Sequence, residues 1–200
     1  MVDPAGVSSN NPLILVTGPA RSGKSEWAEA AIAQHAQPDR QIVYVATAAT
    51  NSDDPDWTTR IRQHQQRRPA HWLTVEGPMD LPAVVGNALP HQCLLIDSLG
   101  TWLATQLDQE ADHWEQTAKA LIASLKQTPC SIVIVAEETG WGVVPAYPAG
   151  RLFRDRLGAL TRQIGAIATT VYLVMAGHAL NLSKLGTPLS ETPLGLGEAI

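Results

Sequence analysis

The sequence predicts an α/β fold: a mostly parallel central sheet flanked by helices. Three observations carry this. Five short runs rich in Val, Ile and Leu lack clean polar alternation, helix-length stretches lie between them, and a glycine-rich pattern joins the first run to the first helical stretch.

The runs are LILVT (13–17), IVYVAT (42–47), CLLID (93–97), SIVIVAE (131–137) and TVYLVMAG (170–177). Apolar side chains at successive positions mean strands covered on both faces, the condition of a parallel sheet. SGKSEWAEAAIAQHA follows the first run and DHWEQTAKALIASLKQ precedes the fourth. AGRLFRDRLGALTRQIGAIA (149–168) places Leu152, Leu157, Leu160 and Ile164 at helical spacing before the fifth. Strands alternating with helices give βαβ units and a three-layer architecture. Asp54 followed by Pro55 reads as an N-cap with proline at N1, opening a helix over 55–68 that Pro69 ends. Residues 13–185 read as one domain, with 1–12 and 186–200 as mobile tails of loop-like composition.

The chain has 200 residues, 44% hydrophobic and 16% charged, with a formal net charge of −5. That length suits one domain with a sizeable core, and the balance argues against disorder. An acidic chain has little use for indiscriminate nucleic-acid binding, so a local basic patch points at a small anion. Cys93 and Cys130 are too few and too isolated for a disulfide framework or a zinc site, and read as buried thiols. No run approaches the ~18 apolar residues of a membrane span, and the start MVDPAGVSSNNP has no secretion-signal pattern. A cytoplasmic location is the expectation.

GPARSGKS fills the pattern GxxxxGK[ST] with Gly18, Gly23, Lys24 and Ser25. Glycines let the backbone curl so that amides face phosphate oxygens. The lysine reaches the outer phosphates, the Ser25 hydroxyl ligates Mg²⁺, and the next helix offers its positive end. A carboxylate at a neighbouring strand end completes such a metal site, and Asp97 after CLLI fits. Glu137 and Glu138, after the fourth run, offer a second acid to orient a water or an acceptor hydroxyl.

In the helix expected over 55–68, Arg60, His64, Arg67 and Arg68 fall at i, i+4, i+7 and i+8, on one face. A basic solvated face is common near a helix C-terminus. Beside a phosphate site the same face can clamp a triphosphate. Neutral imidazole is a good nucleophile, and adjacent arginines favour its neutral form. Spacing alone leaves both roles of His64 open: nucleophile, or hydrogen-bond donor to phosphate.

ILVTGPARSGKSEWAE, YVAT, RIRQHQQRRPAHWLTVE, LLIDSLGTWL and VAEETGWGVVP occur in that order. Together they resemble the bifunctional adenosylcobinamide kinase/adenosylcobinamide-phosphate guanylyltransferase family of cobalamin biosynthesis, over residues 13–185. The resemblance implies a RecA-like P-loop fold, assembled as a homo-oligomer. It implies phosphorylation of adenosylcobinamide by ATP or GTP, then transfer of GMP from GTP to adenosylcobinamide-phosphate through a GMP–histidine intermediate. The histidine of RIxxH matches His64, which becomes the nucleophile, with Lys24 as its catalytic partner. Nucleotide contacts carry over to Gly18, Pro19, Ala20, Arg21, Ser22, Gly23, Lys24 and Ser25, to Ala46, Thr47 and Ala48, to Gln65, Gln66, Arg67 and Arg68, and to Glu76 and Asp97. Mg²⁺ falls to Ser25 and Asp97. Glu76, otherwise a solvated loop acid, binds guanine or ribose. Gln65 stands where many members have a basic residue, and Gln63 where some have histidine.

Trp72, Trp102 and Trp141 lie beside motif residues, with core packing the simpler role for each. Two other functions fit the residues: a P-loop small-molecule kinase in which His64 only binds phosphate, and a non-catalytic nucleotide-binding regulator.

Overall fold

A computed structural model of the chain describes residues 11–36, 39–48, 55–77 and 80–189. The five apolar runs form β1 (Leu13–Gly18), β2 (Gln41–Ala46), β4 (Gln92–Asp97), β5 (Ser131–Glu137) and β6 (Thr170–Met175). Two short strands join them, β3 (Leu73–Glu76) and β7 (His178–Asn181), giving one seven-stranded sheet in the order β3-β2-β4-β5-β1-β6-β7. Every pairing is parallel except β6 with β7. β5 thus separates the P-loop strand from the Asp97 strand.

Alternate residues of the central strands feed two cores. Leu13 and Leu15 pack with Leu94, Ile96, Ile132 and Ile134 on one face; Ile14 and Val16 pack with Tyr44, Leu95 and Val133 on the other. The second face is covered by α1 (Lys24–His35) through Ala28 and Ile32. The first is covered by α3 (Leu81–Gly86), α4 (Leu99–Ala104), α5 (Ala111–Gln127) and α6 (Pro148–Ile167). Burial on both sides explains why the runs carry no polar alternation. Cys93 and Cys130 are buried free thiols, as expected.

Several expectations need correction. The run 170–177 is not all strand: Ala176 and Gly177 have φ of 50° and 75° and turn the chain into β7. Two successive positive φ values suit a two-residue hairpin, in which glycine fits freely and alanine is strained. Leu157, Leu160 and Ile164 of α6 are buried, but Leu152 is 40% exposed, since burial along the helix begins only at Arg156. Trp72 and Trp102 do pack in the core, whereas Trp141 is 63% exposed. The Asp54 cap and the outer parts of both tails lie outside the described residues. The helix it would open, α2 (Pro55–Arg67), ends two residues before Pro69. A four-residue helix, α7 (Leu182–Leu185), follows β7. No helix among the described residues is long and apolar enough to cross a membrane.

Candidate nucleotide-binding and transfer site

Parallel strands bring their C-terminal ends to one edge of the sheet, where ligands of open α/β sheets bind. Here that edge aligns Glu76, Ala46 and Asp97 across β3, β2 and β4, and sets Gly18 opposite Glu137 across β1 and β5. The loop from Gly18 to Gly23 connects β1 to α1. A Cβ on Gly18 would stand 2.2 Å from the Val174 carbonyl oxygen, so only glycine lets the loop leave the strand this close to β6. Gly23, with φ of 89°, takes the left-handed conformation at the N-cap of α1. Lys24 at the head of α1 is 5% exposed, and its Nζ donates to the Pro19 carbonyl at 3.4 Å.

A cleft of about 450 Å³ opens above the strand ends. Lys24, Ser25, Ala46, Thr47, Ala48, His64, Gln65, Arg68, Glu76 and Asp97 line it, ten of the expected positions. The residues from Gly18 to Gly23, together with Gln66 and Arg67, do not. Gln66 is exposed on α2, and Arg67 turns aside to acids of α1.

Asp97 is the hub. Ser25 Oγ donates to its Oδ1 at 3.2 Å, and the Tyr44 hydroxyl donates to Oδ2. His64 Nδ1 lies 3.7 Å from the same Oδ2. Burial, reinforced by the negative charge of Asp97, pushes the Tyr44 phenol well above its ordinary range, so it remains a donor. The Arg68 guanidinium sits 3.7 Å above the Tyr44 ring, which ties the end of α2 to β2. Gln65 donates to Glu76 at 3.2 Å, so Glu76 is a strand-end acid and not a loop residue.

Arg67 donates to Glu26 at 2.7 Å and reaches Glu29 at 3.5 Å. Its Nη2 also lies 3.1 Å from His64 Nδ1. A guanidinium only donates, so Nδ1 accepts here and the neutral ring carries its proton on Nε2. The expected arginine face is thus split: Arg67 is committed to acids, Arg68 to a ring, and the side chain of Arg60 lies outside the described part.

Glu29 is held above its ordinary value of 4.5, chiefly by burial and against the pull of Arg67. The folded protein therefore binds that proton more tightly than the unfolded chain. This contribution to stability is complete below the unfolded value and is lost as pH rises through the folded one. Glu29→Gln is expected to melt with wild type in acid and above it once pH passes the carboxylate range. Melting temperatures of both proteins from about pH 4 to about pH 8 check this.

Behind Asp97, Thr47 Oγ1 donates to the Ser98 carbonyl at 2.6 Å and accepts from Ser98 N at 2.7 Å. Glu137 accepts from the Ser98 hydroxyl and, at 2.9 Å, from Gly100 N. A Cβ on Gly100 would stand 2.3 Å from that carboxylate, so glycine makes room for it. Tyr44, Ser98 and Thr101 also line the cleft; they fall within YVAT and LLIDSLGTWL, but nothing in those stretches gives them a role. Tyr44 sits inside an apolar run, where its hydroxyl gives no signal.

Ser25 and Asp97 present two oxygens to one point beside the P-loop lysine, a hard donor pair that suits Mg²⁺ completed by phosphate and water. Glu29, His64 and Asp97 also offer ligand atoms within 4.8 Å of one another.

Residues 14–182 match the family described as cobinamide kinase / cobinamide phosphate guanyltransferase. The bifunctional adenosylcobalamin biosynthesis protein CobU of Escherichia coli K12 is 35% identical over 185 residues, covering 85% of this chain and 99% of that one. CobP of Pseudomonas aeruginosa PAO1, similarly described, is 36% identical over 177 residues, covering 88% and 98%. Among solved structures, an ATPase domain superposes with a TM-score of 0.49 at 10% identity, covering 82% of this chain and 69% of that one. The P-loop, the RIxxH helix and the Asp97 strand end thus occur in a chain that belongs to the cobinamide kinase / cobinamide phosphate guanyltransferase family, a family of bifunctional enzymes of cobalamin biosynthesis.

Proposed function

We propose that one catalytic domain, residues 13–185, phosphorylates adenosylcobinamide with ATP or GTP and then transfers GMP from GTP to the phosphate it has made. The observation that carries this is the convergence of Lys24, Ser25, Asp97 and His64 on one cleft of about 450 Å³. That size suits a nucleotide. A binding module or a simple kinase has no need of an imidazole at the same point.

In nucleotidyl transfer, a His64 ring nitrogen attacks the α-phosphorus. A P–N bond forms, the bridge between α- and β-phosphorus breaks, and pyrophosphate leaves with the electron pair. Arg67 engages the Nδ1 lone pair. A triphosphate offers that guanidinium a stronger partner than its shared acids, and its departure frees Nδ1. Lys24 and the amides of residues 18–25 stabilise charge on the departing phosphates. Arg21 and Arg68 add positive potential, and Glu76 with Gln65 reads the base or ribose beyond Ala46, Thr47 and Ala48. Adenosylcobinamide-phosphate then attacks the phosphoramidate, and the P–N bond breaks. Dividing the reaction in two replaces one hard displacement by two easier ones.

In the kinase step the acceptor hydroxyl attacks the γ-phosphorus of a nucleotide in the same P-loop. The bridge between β- and γ-phosphorus breaks, the nucleoside diphosphate leaves with the electron pair, and the hydroxyl proton passes to water. Glu137, opposite Gly18, orients that hydroxyl. Ser25 and Asp97 would hold Mg²⁺, which would neutralise charge on the phosphates. The enzyme works in the cytoplasm as a homo-oligomer.

Incubation with Mg²⁺ and GTP labelled at the α-phosphorus tests the reading. Acid-labile, base-stable label is expected on the denatured protein, and γ-labelled GTP is expected to leave none. A folded, GTP-binding protein that takes up no α-label refutes the histidine intermediate.

A further inference from the structure

A second cleft, of about 1210 Å³, runs along α6 on the far side of Glu137. We propose that it seats the body of the corrinoid acceptor and that the acceptor's hydroxyl arm enters the nucleotide cleft past Glu137. This rests on the reading of the enzyme as a cobinamide kinase and guanylyltransferase.

The first support is a set of buried polar atoms that lack partners. Among the described residues these are Ser22 Oγ, Arg68 Nε, Thr17 Oγ1, Arg154 Nη1 and Thr161 Oγ1. Leaving such a group unpaired costs about 1–3 kcal/mol, and native proteins keep few of them. Their placement is not scattered. Ser22 lies in the P-loop and Arg68 lines the nucleotide cleft; Thr17, Arg154 and Thr161 all line the second cleft. The same signature that marks the nucleotide site marks this one.

Size and chemistry identify the occupant. The cleft exceeds the range of ~300–1,000 Å³ usual for small-molecule sites, so it suits a ligand much larger than a nucleoside. Leu15, Ile122, Ile167 and Val171 give it apolar wall, while Gly158 and Gly165 keep the α6 side low. Lys126, Arg154, Asp155 and Arg162 supply polar groups around it. A corrin is a broad apolar macrocycle fringed by carboxamides that donate and accept, which matches both sets. Glu138, Thr139 and Gly140 also line the cleft, and the loop that follows presents Trp141 and Val143, 63% and 95% exposed, to solvent.

Position supplies the link to chemistry. Glu137 lines both clefts, with its carboxylate fixed by Ser98 and Gly100 N. An acceptor seated along α6 therefore reaches the strand edge beside Gly18, where the γ-phosphate is delivered.

Two variants test this. A Cβ on Gly158 meets nothing within 4 Å, so Gly158→Trp fills the cleft without straining α6. Thr161→Val removes a hydroxyl that has no protein partner, at little cost to folding. The readouts are kinase KM for cobinamide, KM for nucleotide, α-label uptake from GTP alone, and molar mass in solution. Gly158→Trp is expected to raise the cobinamide KM roughly tenfold or more and Thr161→Val severalfold, with the nucleotide KM at the wild-type value. Unchanged cobinamide KM in both variants overturns the proposal. So does a change of molar mass on Gly158→Trp with cobinamide KM unchanged, which assigns the cleft to contact between copies. Wild-type protein that takes α-label but phosphorylates no cobinamide fails at the substrate reading itself, and the corrinoid cleft falls with it.

Discussion

His64→Ala is expected to bind GTP, keep its fold and take up no α-label. His64 lies on α2, whose links to the body include Arg67 to Glu26, Gln65 to Glu76 and Arg68 over the Tyr44 ring. None of these contacts is made by the imidazole, so removing it leaves both apolar layers intact. Loss of a covalent nucleophile costs at least about 10³-fold in the step it performs. GMP transfer to adenosylcobinamide-phosphate should fall by that order. Kinase turnover with ATP needs no imidazole and should persist. The pattern to look for is thus a split, one activity gone and the other kept, read by α-label uptake and by product formation from each substrate. Loss of both activities with GTP binding retained would make His64 a phosphate ligand common to the two steps.

Lys24→Met is expected to abolish both. Lys24 is 5% exposed, and among the described residues its ammonium has one long hydrogen bond, 3.4 Å to the Pro19 carbonyl. A buried charge so poorly matched is a burden on the fold. Its proper partners are phosphate oxygens, which both reactions bring to the same place. Removing a charge aimed at developing negative charge typically costs about 10²–10³ in turnover. Both kinase and guanylyltransferase rates should drop by that order, while the nucleotide-free variant melts no lower than wild type. A variant that melts lower without nucleotide would show that Lys24 supports the fold, contrary to the geometry. The comparison separates a group retained for chemistry from one retained for stability.

The strands at the centre of the sheet were legible because burial on both faces leaves a plain signature, and the P-loop because its spacing is dictated by phosphate. Asp97 could be placed from its position at the end of CLLI alone. β3 and β7 could not. LTVE and HALN are four residues long, largely exposed, and pair with β2 and β6. The arginine face was half legible. Helical spacing shows that His64 and Arg67 are neighbours, but Arg67 meets Glu26 across 41 positions of sequence, a contact that exists only once the assembled sheet brings α1 and α2 together. Tyr44 reads as an ordinary core residue, and its hydroxyl matters because the next strand over ends in Asp97. Gly158 and Thr161 read as unremarked helix positions, since a cleft belongs to two elements and to neither sequence segment.

The pairing of Gly18 with Glu137 governs how this gene can change length. β5 is in register with β1 from Leu13 opposite Ile132 to Gly18 opposite Glu137. One codon inserted within residues 131–137 would turn every following side chain to the opposite face of the sheet. The Glu137 carboxylate would then leave Ser98 and Gly100, and apolar residues would trade layers. Insertions and deletions are therefore confined to segments such as 139–147, where the exposed backbone can absorb them. A library of single-codon insertions across 128–150 should recover active clones from the loop and none from the strand.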